Sequence, residues 1–246
     1  MERVNAASGV GAAQLALIVA AFVAGLYADV VYELPGQIAV SVLMWLLLHY
    51  LLERCPPEER RLLVLCLVIS TAGELLLSLG WGLYRYRLDN VPMFVPPYHA
   101  LLLMLGFALA RRLPDSAALA VLAVAGAYTF GAAWYGIDTF GVLLFALLAG
   151  CSLWFPARRR LFASTFVLAL ALELYGTWLG NWTWAPEVPW LPLVTTNPPL
   201  AAGAFYSALD MLVVAAASLL REPGRSGSLK ARRFTRAGEK SALPLG

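Results

Sequence analysis

Residues 73–86 read GELLLSLGWGLYRY, and residues 172–184 read LELYGTWLGNWTW. Each places one glutamate in an apolar run, follows it with a glycine, and sets two aromatic side chains two residues apart. A long apolar run that ends in paired aromatics reads as a membrane helix reaching an interface, where Trp and Tyr concentrate. A lone carboxyl inside such a run costs several kcal/mol in a bilayer, about 2.5–3.5 on insertion scales, so it needs a reason.

The rest of the chain agrees with that reading. Of 246 residues, 61% are hydrophobic and 13% charged, about half the charge of a typical soluble chain. Apolar runs of bilayer-crossing length, roughly 17–25 residues, recur. They predict spans at about 12–31, 37–53, 62–83, 95–110, 117–135, 139–156, 161–180 and 198–221. The alternating pattern of a membrane β-barrel is absent. The predicted fold class is an all-α polytopic membrane protein of about eight transmembrane helices. The first apolar run is read as a retained helix, since it has one basic residue before it and no clear cleavage site.

Charge distribution tests the count. With eight spans and the N-terminus inside, the inner segments hold Arg3, Arg54, Arg60, Arg61, Arg111, Arg112 and Arg158–Arg160, together with seven basic residues from Arg221 to Lys240. That leaves only Arg85 and Arg87 outside, the excess expected of cytoplasmic loops. The expected location is the cell (inner) membrane, multi-pass, with both termini cytoplasmic. Residues 222–246 are rich in Gly, Ser and basic residues. They predict a disordered tail suited to anionic lipid headgroups or to plain topology anchoring.

The opening similarity extends further. Val91-Pro92 and Pro96-Pro97 follow the first stretch, and Val188-Pro189 and Pro198-Pro199 follow the second, with each Pro-Pro expected at the start of the next helix. The chain therefore divides into two parallel four-helix repeats, residues 1–114 and 115–221, ahead of the tail.

Three acids carry the chemistry. Glu74, Glu173 and Asp210 each lie twelve residues into a predicted span. At a rise of about 1.5 Å per residue, the two glutamates lie about 18 Å from the inner boundary. No Lys or Arg is expected at that depth, and a shared polar cavity is predicted. His99 follows Tyr98 at the mouth of the fourth span, where the second copy has Ala201. Tyr84, Tyr86, Trp182 and Trp184 either form an aromatic belt or line a substrate pocket whose π faces stabilise a cation. Asn181 and Asn197 add neutral hydrogen-bonding groups. Cys55, Cys66 and Cys151 lack metal-ligand spacing, and there is no phosphate loop, HExxH or CxxC. No metal, no cofactor and no nucleic-acid partner is expected; a homo-oligomer is left open.

Membrane glutamate, glycine, aromatic pair and Val-Pro loop together resemble the integral-membrane carotenoid hydratases and the heterodimer-type lycopene cyclases. The residues are Glu74, Gly80, Tyr84, Tyr86 and Val91-Pro92, then Glu173, Gly180, Trp182, Trp184 and Val188-Pro189. The doubled acidic signature of the cyclases after the aromatic pair is replaced by VPMFVPPYH and VPWLPLVTT. The resemblance implies a membrane isoprenoid or carotenoid-like substrate, protonated by a membrane acid and captured as a cation by water or ring closure, without a redox cofactor. Glu74 or Asp210 would then be the acid and Glu173 the base or counter-charge, with His99 a further catalytic candidate. Two other readings use the same residues: a proton- or cation-coupled transporter, and a non-catalytic assembly protein whose acids make interhelical hydrogen bonds.

Overall fold

A computed structural model describes residues 10–220; the predicted tail and its headgroup contacts lie outside the described residues. Within them run α1 (Ala12–Val31), α2 (Glu33–Leu52), α3 (Pro57–Glu74), α4 (Val95–Ala110), α5 (Asp115–Trp134), α6 (Phe140–Trp154), α7 (Arg159–Leu179) and α8 (Gly203–Leu219). Five helical segments are long and apolar enough to cross a membrane, and α4, α6 and α8 are shorter apolar helices. The protein is a membrane-embedded helical bundle. Hydrocarbon offers no hydrogen bonds, so helices that satisfy their own backbone are the form an apolar chain takes there.

The surface and the interior are both apolar, as that solvent demands. α2 turns Ile38, Val42, Leu43 and Leu46 outward, whereas every residue of α4 from Val95 to Ala108 is buried. Four helices, α4 among them, close a ring: α3 packs on α4, α4 on α7, α7 on α8, and α8 on α3. The α1–α2 hairpin lies against α4, with α1 also touching α7; α5 and α6 pack on each other and on α7, and α6 reaches α8. At one end the basic turns meet, with Arg160 Nε 3.0 Å from Asp115 Oδ1.

The opposite end departs from an all-helical expectation. Tyr84–Tyr86 (β1) and Trp182–Trp184 (β2) pair as an antiparallel ribbon, with Tyr84 opposite Trp184 and Tyr86 opposite Trp182. The aromatic pairs that close the two sequence motifs are thus partners across one small sheet. Alternation along each strand buries the two aromatics and exposes Arg85 and Thr183.

Two further corrections concern helix ends. α8 begins at Gly203 rather than at 198; Pro198 and Pro199 sit in a turn held by Thr196 Oγ1 donating to the Pro198 carbonyl (2.8 Å) and Ala202 N–H to that of Pro199. Gly203 lies so close to the Phe166 backbone that a Cβ there would collide with the Phe166 carbonyl oxygen. The third span is α-helical only to Glu74, and Leu75–Gly80 form a π-turn in which Trp81 N–H reaches back five residues to the Leu76 carbonyl (2.6 Å). The reason is arithmetic. Ten residues separate Glu74 from Tyr84 but nine separate Glu173 from Trp182, and a π-turn accommodates one extra residue per turn.

Two glutamates under an aromatic ribbon: the candidate functional site

The ribbon aims its polar atoms at the two acids. Tyr84 and Tyr86 hydroxyls both donate to Glu74 Oε2, each at 2.8 Å. Trp182 and Trp184 indole N–H groups both donate to Glu173 Oε2, at 2.8 and 3.0 Å. Each motif therefore supplies both a carboxylate and the two donors that hold one of its oxygens. The second oxygens are also matched: Glu74 Oε1 lies 2.9 Å from His99 Nε2, and Glu173 Oε1 lies 3.4 Å from the Tyr206 hydroxyl. His99 and Tyr206 meet edge to face at 4.9 Å, so a chain of polar side chains runs from one glutamate to the other.

Local structure explains the aim. Glu74 is the last α-helical residue of α3, and Glu173 lies six residues before the end of α7. Both helices begin nearer the basic end than the predicted spans, at Pro57 and Arg159. The two carboxyls lie beneath the ribbon, each within hydrogen-bond reach of its own aromatic pair. Gly180, at φ +84°, ends α7 in the left-handed conformation that a β-carbon disfavours, and the chain reverses there into β2. Gly176 lets the Trp182 indole lie flat on α7; a Cβ at that position would overlap the six-membered ring.

Below the ribbon is a cavity of about 200 Å³. Its polar lining consists of Glu74, Glu173, His99, Tyr98, Tyr206, Ser70 and the ribbon aromatics, and its walls are Leu, Ile, Val, Ala, Gly and Phe. Both glutamates are buried, at 7% and 6% exposure. No Lys or Arg lines it. Among the described residues, no group of three His, Cys, Asp or Glu side chains is placed to hold a metal ion.

Three residues expected at the site lie elsewhere. Asp210 is buried one helical turn beyond Tyr206 on α8, beside Thr165, and does not line the cavity; its Oδ2 has no hydrogen-bond partner. Asn181 faces away, with Nδ2 donating to Asp29 Oδ2 (2.8 Å) and to the Leu26 carbonyl (3.0 Å). Asn197 accepts from the Trp184 backbone N–H (3.0 Å) and so braces the ribbon from outside.

Two features were missed. Tyr206 takes, against Glu173, the place that His99 takes against Glu74. It escaped the motif comparison because α8 starts late and shifts its partner five residues beyond Ala201. Asp29 is 1% exposed and gathers Gln37 Nε2 (3.2 Å), Asn181 Nδ2 and the Arg87 guanidinium (3.8 Å). Arg87 also donates to the Asp29 carbonyl, and Asn90 Nδ2 to Gln37 Oε1 (2.8 Å). This network latches α1 and α2 to both strands.

No protein-family model, no curated protein and no solved structure matches the chain.

Proposed function

We propose that the protein is an eight-span integral membrane enzyme that protonates a carbon–carbon double bond of an isoprenoid- or carotenoid-like lipid and directs capture of the resulting cation. In this reading both termini are cytoplasmic, the basic turns face the cytoplasm, and the ribbon lies toward the opposite face. One observation carries it: two glutamates share a single apolar cavity, each held by its own aromatic pair.

Two like charges in one low-dielectric cavity cannot both be left ionised cheaply, so one carboxyl holds a proton while the other acts as base. Glu74 accepts from two tyrosine hydroxyls and has His99 Nε2 2.9 Å from its other oxygen, which suits the ionised partner, whereas Glu173 Oε1 has only the long Tyr206 contact and is the better oxygen to carry a proton. This reverses the assignment expected from the sequence. The reaction then balances without a redox step. The Glu173 proton adds to one alkene carbon as the π pair forms the new C–H bond, leaving a tertiary cation at the other. Water adds through a lone pair and loses a proton to Glu74; alternatively a neighbouring double bond adds and ring closure ends in proton loss. Tyr and Trp faces around the cavity stabilise the cation.

The test is lipid extraction from cells that supply isoprenoid precursors and express wild type, Glu74→Gln or Glu173→Gln at matched membrane levels. A hydrated or cyclised product lost in both variants is expected. A wild-type lipid profile identical to that of empty cells would overturn the proposal.

A further inference from the structure

The ribbon defines a half-turn that exchanges β1 with β2. The same operation exchanges α3 with α7 and α4 with α8, since each glutamate helix leads into its own strand and each following helix supplies the second partner, His99 or Tyr206. It therefore also exchanges two seams of the ring, the one between α4 and α7 and the one between α8 and α3. These two equivalent seams are not treated alike.

The α4–α7 seam is covered. α1 lies across it, fixed by Tyr98 hydroxyl to the Phe22 carbonyl (3.3 Å), Tyr175 hydroxyl to that of Val23 (3.1 Å) and Asn181 to that of Leu26. The helix in the corresponding position of the second half, α5, packs on α6 and α7 instead. At the α3–α8 seam the cavity wall itself reaches the surface: Leu76 and Leu212 both line the cavity, yet are 62% and 50% exposed. Gly73, on α3, lines it too, and a Cβ built there meets nothing within 4 Å. The surface around the opening is aliphatic, with Val68, Leu75 and Leu79 also exposed.

We infer that the α3–α8 seam is a lateral portal through which a hydrocarbon chain enters the two-glutamate cavity directly from the bilayer. The inference rests on the proposed function for what happens inside but not for the passage itself. Lipid is the occupant because the rim is aliphatic, the walls are aliphatic and Phe side chains, and the polar lining is confined to the glutamates, His99, Tyr98, Tyr206, Ser70 and the ribbon. A substrate of this shape presents an apolar chain first, with its reacting double bond at the acids. A water-soluble substrate would instead have to pass the ribbon, whose rings are tied to both carboxyls.

The probe is all-trans-retinol, an isoprenoid polyene that accepts energy from nearby indoles; Trp182 and Trp184 stand at the cavity. Saturable quenching of tryptophan emission is titrated for the full chain in nanodiscs. Gly73→Leu fills the portal, and Gly131→Leu, on α5, is the matched control, since a Cβ there also meets nothing within 4 Å. Leu76→Phe serves as a second plug if Gly73→Leu elutes as an aggregate. The expected result is a rise of at least tenfold in apparent Kd for the plugs and less than twofold for the control. Unchanged binding in both plugs would overturn the portal, as would absence of saturable quenching in wild type. A disulfide-linked dimer of Leu212→Cys in native membranes would assign the seam to a second copy and overturn it as well. Glu74→Gln and Glu173→Gln separate the two claims. If they bind retinol as wild type does but make product normally, the proposed chemistry fails while the portal stands.

Discussion

Tyr84 and Trp184 face each other across the ribbon, rings 4.8 Å apart, yet serve different acids: the phenol donates to Glu74 and the indole to Glu173. Each side chain is thus braced by the opposite strand and acts on the carboxyl of the motif it closes. The pair is a second link between the two acids, beside the contact of His99 with Tyr206.

That coupling can be measured. Tyr84→Phe and Trp184→Phe each remove one donor from a buried carboxyl, a loss worth roughly 10²–10³ in rate where such donors stabilise developing charge. Product yield at matched expression is expected to fall in each single variant. In the double variant the effects combine non-additively, because the residues touch. Additive losses would mean that the ribbon does not link the acids.

Two glycines on the glutamate helices make opposite predictions. Gly176→Ala forces a methyl group into the Trp182 ring and is expected to cost about 1–3 kcal/mol, as overpacking does. Gly73→Ala places its methyl in open space on a helix and is expected to stabilise by about 0.5–1 kcal/mol. Thermal unfolding in a single detergent reads both signs.

Much of this arrangement was visible in the chain. Apolar runs gave the helices within a few residues, because their length and emptiness of charge are set by the bilayer rather than by packing. Glu74 and Glu173 stood out because few side chains are costlier in hydrocarbon. Register was invisible. Nothing local indicates that YRY and WTW would pair with each other, since strand pairing between residues a hundred apart depends on how α3 and α7 sit. Asp210 was misplaced for a related reason. Its distance along the chain was right, but which neighbours α8 presents it to is a matter of helix rotation, and Tyr206 is the α8 residue that reaches a glutamate. Tyr206 could have been found by counting one helical turn back from Asp210.

The latch makes its own prediction. Arg87→Met leaves the Asp29 carboxylate buried without its cation, and removing one partner of a buried pair typically costs about 3–5 kcal/mol. The expected phenotype is a lower unfolding temperature with faster proteolysis in residues 85–92. Asp29→Asn, which keeps hydrogen-bonding capacity, is expected to do less harm.

Cysteine chemistry offers a check on the basic end. Cys55 lies in the turn between α2 and α3, 4% exposed. Burial first, and the Glu59 carboxylate second, push its thiol up to about 11 despite the opposing charge of Arg60. The thiolate is the reactive form, so alkylation by maleimide in native membranes is expected to be slow at pH 7. It should speed up with each rise in pH toward 11 and become rapid on unfolding. Fast labelling at neutral pH would show an open turn.

The π-turn between Glu74 and the first strand has a bearing on how such proteins can be found. Since one added residue is taken up as a local widening of the helix without disturbing the ribbon, the spacing from acid to aromatic pair is elastic by one position. A search for relatives should then accept glutamate followed by an aromatic either nine or ten residues on, and again two later, and should require this twice. Deleting one of Leu75–Leu79 would convert the first copy to the length of the second and is expected to leave the fold intact. The same deletion in α7, which has no residue to spare, would swing Trp182 off its acid.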